Sequence, residues 1–170
     1  MRVALSVALF LCLAFTVPAF AWEAEVLRVV DGDTLVVRRT ANGKQEHIRL
    51  YGIDAPERAS AEWKSQPYSR AAKVFLKKML PRRSRVTVED MGNDRYNRTV
   101  AVISLPDGKV VQERLLSSGL AWVYPQYCTR EEICAPLRKL EDEARKQKRG
   151  LWADKAPVPP WAWRVGLQCF

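Results

Sequence analysis

The stretch RLYGIDAPE, Arg49 to Glu57, decides how the rest of the chain reads. Leu50, Tyr51 and Ile53 have the apolar character of a buried strand running into a turn, and Pro56 fixes the chain direction beyond it. Arg49, Asp54 and Glu57 place three charges around that strand end. Ionised groups beside a core are costly unless they pair or bind an ion. Either these three neutralise one another or something is bound there.

Upstream, EAEVLRVVDGDTLVVRR reads as two strands joined at DGD, with Asp31-Gly32 as the tight-turn signal. KQEHIRLYGI is then a third strand. Downstream, SQPYSRAAKVFLKKML has Ala71, Val74, Phe75 and Met79 at helical spacing, and Pro81 stops it. SRVTVED and RTVAVISL are two further strands joined by the polar loop MGNDRYN. KVVQERLLSSG is a short helix ended by Gly119. In APLRKLEDEARKQKRGLW, Leu137, Leu140 and Ala144 line one face of a longer helix ended by Gly150. Five strands, a helix inserted after the third and two C-terminal helices predict a mainly-β α+β chain, a five-stranded OB-fold barrel.

The first segment reads as something other than fold. Arg2 precedes the apolar run VALSVALFLCLAFTV, and Ala19 and Ala21 stand in the A-x-A arrangement of a signal-peptidase site. The expected division is a cleavable signal peptide at 1–21, one domain at 22–153 and a Pro/Trp-rich tail at 154–170. The tail is expected to be extended, with Trp161 and Trp163 packed on the barrel. The protein is thus expected to be exported, periplasmic or secreted, a monomer without stable membrane association after cleavage.

The whole chain carries a formal charge of +9, and removal of Arg2 with the signal leaves +8. Such a surface suits polyanions, nucleic acid among them. After the signal, Cys128, Cys134 and Cys169 remain; the first two could close a small loop, and three cannot all pair within one chain. The only histidine is His47, on a strand, which excludes histidine-pair ribonuclease chemistry, Ser-His-Asp triads and Cys-His mechanisms. Carboxylate, arginine and metal remain.

Asp31 and Asp33 at the hairpin, with Asp54 and Glu57 after the third strand, can meet at one end of a barrel. Carboxylates that converge repel one another unless a hard cation sits between them, and oxygen ligands select Ca²⁺ or Mg²⁺. Two arginines, Arg49 and Arg98, beside such a cation describe a phosphate clamp. Spacing alone leaves a second reading equally open, with Arg49–Glu57 and Asp94–Arg98 as surface ion pairs.

VVDGDTL, IRLYGIDAPE and NDRYNR, in this order, resemble the staphylococcal nuclease (thermonuclease) family, and the likeness runs from Glu23 to Trp152. The resemblance implies calcium held by Asp33, Asp54 and the Ala55 carbonyl, with Asp31 behind them. It implies Glu57 as general base, Arg49 and Arg98 on the scissile phosphate, and Arg95, Tyr96 and Tyr127 as substrate-binding residues. The implied activity is cleavage of DNA and RNA, single strands favoured, to 3′-phosphorylated products. Ala55 stands where the best-known member has threonine, Asn97 where a glycine precedes the second arginine, and Pro125 where an aromatic is expected. Two other readings are an OB-fold module that binds nucleic acid without cutting it, and a basic cell-envelope binding protein.

Overall fold

The barrel begins with β1 (Ala21–Val29) and β2 (Thr34–Arg39), an antiparallel pair in which Val26 faces Val37. The computed structural model describes residues 21–62 and 64–166. The expected signal peptide up to position 20, and Cys169, lie outside them. Alternation puts Ala24, Val26, Leu35 and Val37 inside, each fully buried. Burial of a side chain such as Leu35 contributes about 1.5–3 kcal/mol. β3 (Gln45–Leu50) pairs antiparallel with β2 and sends Ile48 and Leu50 into the same core.

The next strand, β4 (Ile53–Asp54), leaves the barrel. Helix α1 (Ser69–Met79) follows, then β5 (Arg85–Asn93) and β6 (Thr99–Ser104). β6 lies parallel to β3 and β5 antiparallel to β1, which closes the barrel in the order β1-β2-β3-β6-β5. This is the five-stranded OB-type α+β architecture, with its helix inserted after the third barrel strand. Beyond it come α2 (Val111–Ser117), β7 (Trp122–Val123), α3 (Glu131–Lys146), a 3₁₀ turn at Gly150–Ala153 and the short α4 (Pro160–Trp163). Among the described residues no helix is long and apolar enough to cross a membrane.

β7 pairs with β4, setting Asp54 opposite Trp122. The strand end at Asp54 is therefore held from a segment almost 70 residues away. Tyr51 adds a second tie, its hydroxyl accepting from the Thr129 and Arg130 amides at 3.0 and 2.9 Å. A Cys128–Cys134 disulfide lies beside these amides.

Several expectations need correction. The buried face of α1 centres on Ala72 and Leu76, with Phe75 and Met79 partly buried, whereas Val74 is exposed. The helix is turned so that Ala72 can approach Gly32. α3 starts at Glu131, one turn before the expected Ala135, and carries Pro136 inside. Proline has no N–H for the helical bond, but the Tyr51 contacts and the disulfide already fix this turn. β5 runs through Met91 and Gly92, with a register shift against β6 between Asp90 and Asn93, so the expected loop is shorter. The tail is not wholly extended, because Pro159-Pro160 start a helical turn.

Candidate active site

Gly32 lets the first hairpin approach the strand end. A Cβ there would stand 2.6 Å from Ala55 Cβ and 2.8 Å from Ala72 Cβ. With only hydrogen in that space, Asp33 lies against the Asp54–Ala55 backbone, and its Oδ2 accepts from the Ala55 amide at 2.6 Å. Asp33 Oδ1 accepts from the Thr34 hydroxyl at 3.1 Å, and the Asp33 amide donates to Asp31 Oδ1 at 3.2 Å.

Arg49 joins the two loops. Its Nη1 lies 3.0 Å from Asp33 Oδ2, and its Nη2 donates to Asp54 Oδ1 at 2.6 Å. Burial opposes the Arg49 charge, but Asp33, Asp54 and Asp31 outweigh it and hold the guanidinium firmly protonated. Arg49 therefore does not pair with Glu57, as one reading of the spacing had it. The other expected pair is present: Arg98 Nη2 lies 2.7 Å from Asp94 Oδ2.

These groups line a cleft of about 520 Å³. Asp31, Asp33, Arg49, Asp54, Ala55 and Glu57 form one wall, and Asp94, Arg95, Tyr96 and Arg98 another. Tyr124 and Tyr127 both reach it, their rings edge to face at 4.7 Å, and Tyr127 is exposed. Arg95 and Arg98 lie over the Tyr96 ring, 4.9 and 5.5 Å from its centre. Asn97 takes φ 58°, the left-handed backbone that a glycine would have supplied. His47 is exposed on β3 and is not among the cleft-lining residues.

A cleft residue that contacts the acidic wall escaped the sequence reading. Arg164, from the tail, donates through Nη2 to Asp54 Oδ2 at 2.9 Å and through Nη1 to Glu57 Oε1. No motif or spacing pointed to it, since its partners lie more than 100 residues upstream. The signal available was the PPWAW run just before it, apolar enough to need a docking place.

The electrostatics are uneven. Burial, then the charge of Asp33, pushes Asp31 up to about 7. Burial also raises Asp54, to about 6, against the lowering effect of Arg49. Among the described residues no three Asp, Glu, His or Cys side chains meet as a ready-made metal cage. The donor set nevertheless fits a hard cation that keeps most of its waters: Asp33 and Asp54 are close enough for one guanidinium to bridge, and all their donors are oxygen. Burial first, and the Asp33 charge after it, make ionised Asp31 and Asp54 costly, a cost that a nearby cation would offset.

Residues 47–154 match the family described as staphylococcal nuclease homologue. The chain belongs to the staphylococcal nuclease family. An uncharacterized endonuclease of Escherichia coli O157:H7 is 42% identical over 142 residues, covering 84% of each chain. The micrococcal nuclease of Shigella flexneri is 34% identical, covering 94% of this chain and 90% of its own. The thermonuclease of Staphylococcus hyicus is 34% identical, covering 76% of this chain and 75% of its own. Nuclease chemistry is the activity this kinship supports. The matched residues include Arg49, Asp54, Ala55, Glu57 and the Arg98 loop, whereas Asp31 and Asp33 lie before them.

Proposed function

We propose that the chain is a calcium-dependent, sugar-nonspecific nuclease that hydrolyses DNA and RNA at the P–O5′ bond. One observation carries this reading: Arg49 forks across Asp33 and Asp54 in a cleft whose walls also hold Glu57 and Arg98. That cleft offers carboxylate oxygens for a cation, guanidiniums for a phosphate and, in Glu57, a carboxylate outside the Arg49 fork that can take a proton.

Asp33 and Asp54, with the Ala55 carbonyl, would hold Ca²⁺, and Asp31 would stand behind them. Calcium bound there supplies positive charge to the phosphate oxygens. Arg49 and Arg98 grip the phosphodiester from two sides and neutralise charge that grows on its equatorial oxygens. Glu57 takes a proton from a water whose oxygen forms the new bond to phosphorus. The P–O5′ bond breaks, and the 5′ oxygen leaves with the electron pair and takes up a proton from solvent. The products are a 3′-phosphate and a 5′-hydroxyl.

Arg95, Tyr96 and Tyr127, exposed on the outer part of the cleft, suit the flanking nucleotides. Stacking of a base on an aromatic ring is worth about 1–3 kcal/mol, and only an unpaired base presents its face. This supports a preference for single strands. The Cys128–Cys134 disulfide suits an oxidising compartment, and so supports export to the periplasm or beyond. A monomer is the working state.

The test uses single-stranded DNA with Ca²⁺ and then with EGTA, followed by identification of the product ends. Calcium-dependent cutting to 3′-phosphates is expected, and Glu57→Gln or Arg98→Ala should nearly abolish it. Full activity in either variant would sink the assignment of roles. Retained binding without cutting would favour the inactive binding module.

A further inference from the structure

Arg164 stands in the cleft although it lies beyond the last position matched to the family. We propose that Arg164 is a third phosphate-binding guanidinium of this active site, parked on Asp54 and Glu57 until cation and substrate replace it there. The proposal rests on the nuclease reading above and extends it to the tail.

The tail is built to deliver this side chain. Trp163 Nε1 donates to the Lys64 carbonyl at 3.0 Å. Trp161 stacks on Tyr124, with ring centres 4.9 Å apart and planes within 10°, and meets Trp122 edge-on. Gln66 is a third tie and a telling one, because it is buried. Its Nε2 donates to the Val158 carbonyl at 2.6 Å, while its Oε1 accepts from the Glu57 amide at 2.9 Å. One side chain thus fixes the tail and the Glu57 loop relative to each other.

Charge gives the direction. Arg164 faces Asp54 and Glu57, has Arg49 as a like-charged neighbour, and lies 6.0 Å from the centre of the Tyr124 ring. Burial works against its charge, but the two carboxylates dominate and keep it protonated. In this arrangement it occupies the oxygens that the reaction needs. A Glu57 carboxylate engaged by a guanidinium is poorly placed to take a proton from water, so the contact must open during turnover. A cation on Asp54 removes one acceptor and adds positive charge nearby. An incoming phosphodiester then offers two oxygens that match the planar guanidinium fork. The head is about 30% exposed, so it can turn without dragging its anchored backbone.

The test compares the purified protein with Arg164→Ala and Arg164→Lys. Three quantities are read: Ca²⁺ affinity by calorimetry without nucleic acid, affinity for a phosphorothioate oligonucleotide with Ca²⁺, and kcat and KM on single-stranded DNA. In Arg164→Ala, Ca²⁺ should bind several-fold tighter, since a tethered competitor is gone. The oligonucleotide should bind about tenfold weaker, the scale of one charged hydrogen-bonding group. kcat/KM should fall at least as far, and Arg164→Lys, which keeps charge but not the fork, should recover only part. Trp161→Ala keeps the arginine while loosening its support, and should fall between. Oligonucleotide affinity unchanged by Arg164→Ala overturns the proposal. A raised kcat/KM overturns it too, by making the arginine a plug. A wild-type chain that cuts nothing sinks only the nuclease reading, because both binding measurements still report on Arg164.

Discussion

Two arginines face the same cleft from different foundations. Arg49 belongs to a barrel strand, is mostly buried and is locked between two buried aspartates. Arg98 belongs to a loop between β5 and β6, is about 30% exposed and leans on Asp94, four residues away. In the proposed mechanism one side chain would hold the phosphate as well as tie the fold together, while the other serves a wall that the fold could lose. The two should therefore separate under mutation. Arg49→Ala and Arg98→Ala should each lower kcat by about 10³–10⁵-fold, the range for an arginine on a transferring phosphoryl group. In urea at pH 7 with EGTA, Arg49→Ala should also cost about 3–5 kcal/mol, because Asp33 and Asp54 lose their shared partner. Arg98→Ala should cost no more than about 1 kcal/mol, as for other half-exposed pairs. Equal stability losses would erase the distinction.

Gly32 sharpens the same contrast from the backbone side. The Cβ of Gly32→Ala would press on the Ala55 and Ala72 methyl carbons at 2.6 and 2.8 Å. The hairpin carrying Asp33 must then lift from the strand end. A cost of about 1–3 kcal/mol follows, as for overpacking elsewhere, together with weaker Ca²⁺ binding. A variant that kept native stability and Ca²⁺ affinity would show that the close approach is unimportant.

Acid and base should pull the two walls in opposite directions. Asp31 at about 7 and Asp54 at about 6 hold their protons more tightly in the fold than the ordinary 3.8. Their contribution is present below pH 3.8 and is lost as pH rises through 6 and 7. Asp94 is the reverse. Burial is the largest single influence and raises it, but bonds from the Arg98 and Tyr96 amides and from the Arg98 side chain together outweigh it and lower it. Its contribution is present above 3.8 and lost as pH falls further. Melting temperatures taken with EGTA from pH 3 to 8 should show Asp31→Asn flattening the upper limb. Asp94→Asn should lower the melting temperature by a constant amount above pH 3.8 and by progressively less as pH falls, flattening the lower limb alone. Ca²⁺ should remove most of the upper decline in the unmutated chain. A wild-type upper limb indifferent to Ca²⁺ would detach the acidic wall from cation binding.

The legible part of this molecule was local. DGD between two alternating stretches gave the hairpin, and the charges of RLYGIDAPE marked the strand end as more than a core strand. Side chains fixed by short-range geometry, such as Asp33 and Asp54, could be grouped because their loops sit at one end of a meander. Whether Arg49 turned to Glu57 or to the aspartates was closed to spacing, since the answer depends on how far Gly32 lets the hairpin approach. The start of α3, expected at Ala135 and found at Glu131, was hidden for a related reason, with Pro136 inside the helix. The contacts that fix that turn come from Tyr51, about 80 residues upstream. Arg164 was invisible for the same cause in stronger form. Its partners are set by where the Trp161 and Trp163 rings dock, and no periodicity encodes that.

The smallest expected effect tests the weaker wall most directly. Asn97 holds φ 58°, its amide donates to the Asp94 carbonyl at 3.0 Å, and its Oδ1 accepts from Asn93 Nδ2 at 3.0 Å. This turn aims Arg98, whose own amide donates to Asp94 Oδ1 at 3.0 Å. Alanine tolerates left-handed backbone poorly, so Asn97→Ala should cost about 1 kcal/mol. Asn97→Gly accepts the φ and loses only an exposed side-chain bond, so it should lie within a few tenths of a kcal/mol of the parent. Urea midpoints would measure both, and kcat/KM should drop less than in Arg98→Ala, because the guanidinium is still present. If Asn97→Ala instead destabilised the chain as much as Arg49→Ala, the loop would belong to the frame, and the two arginines would rest on one foundation after all.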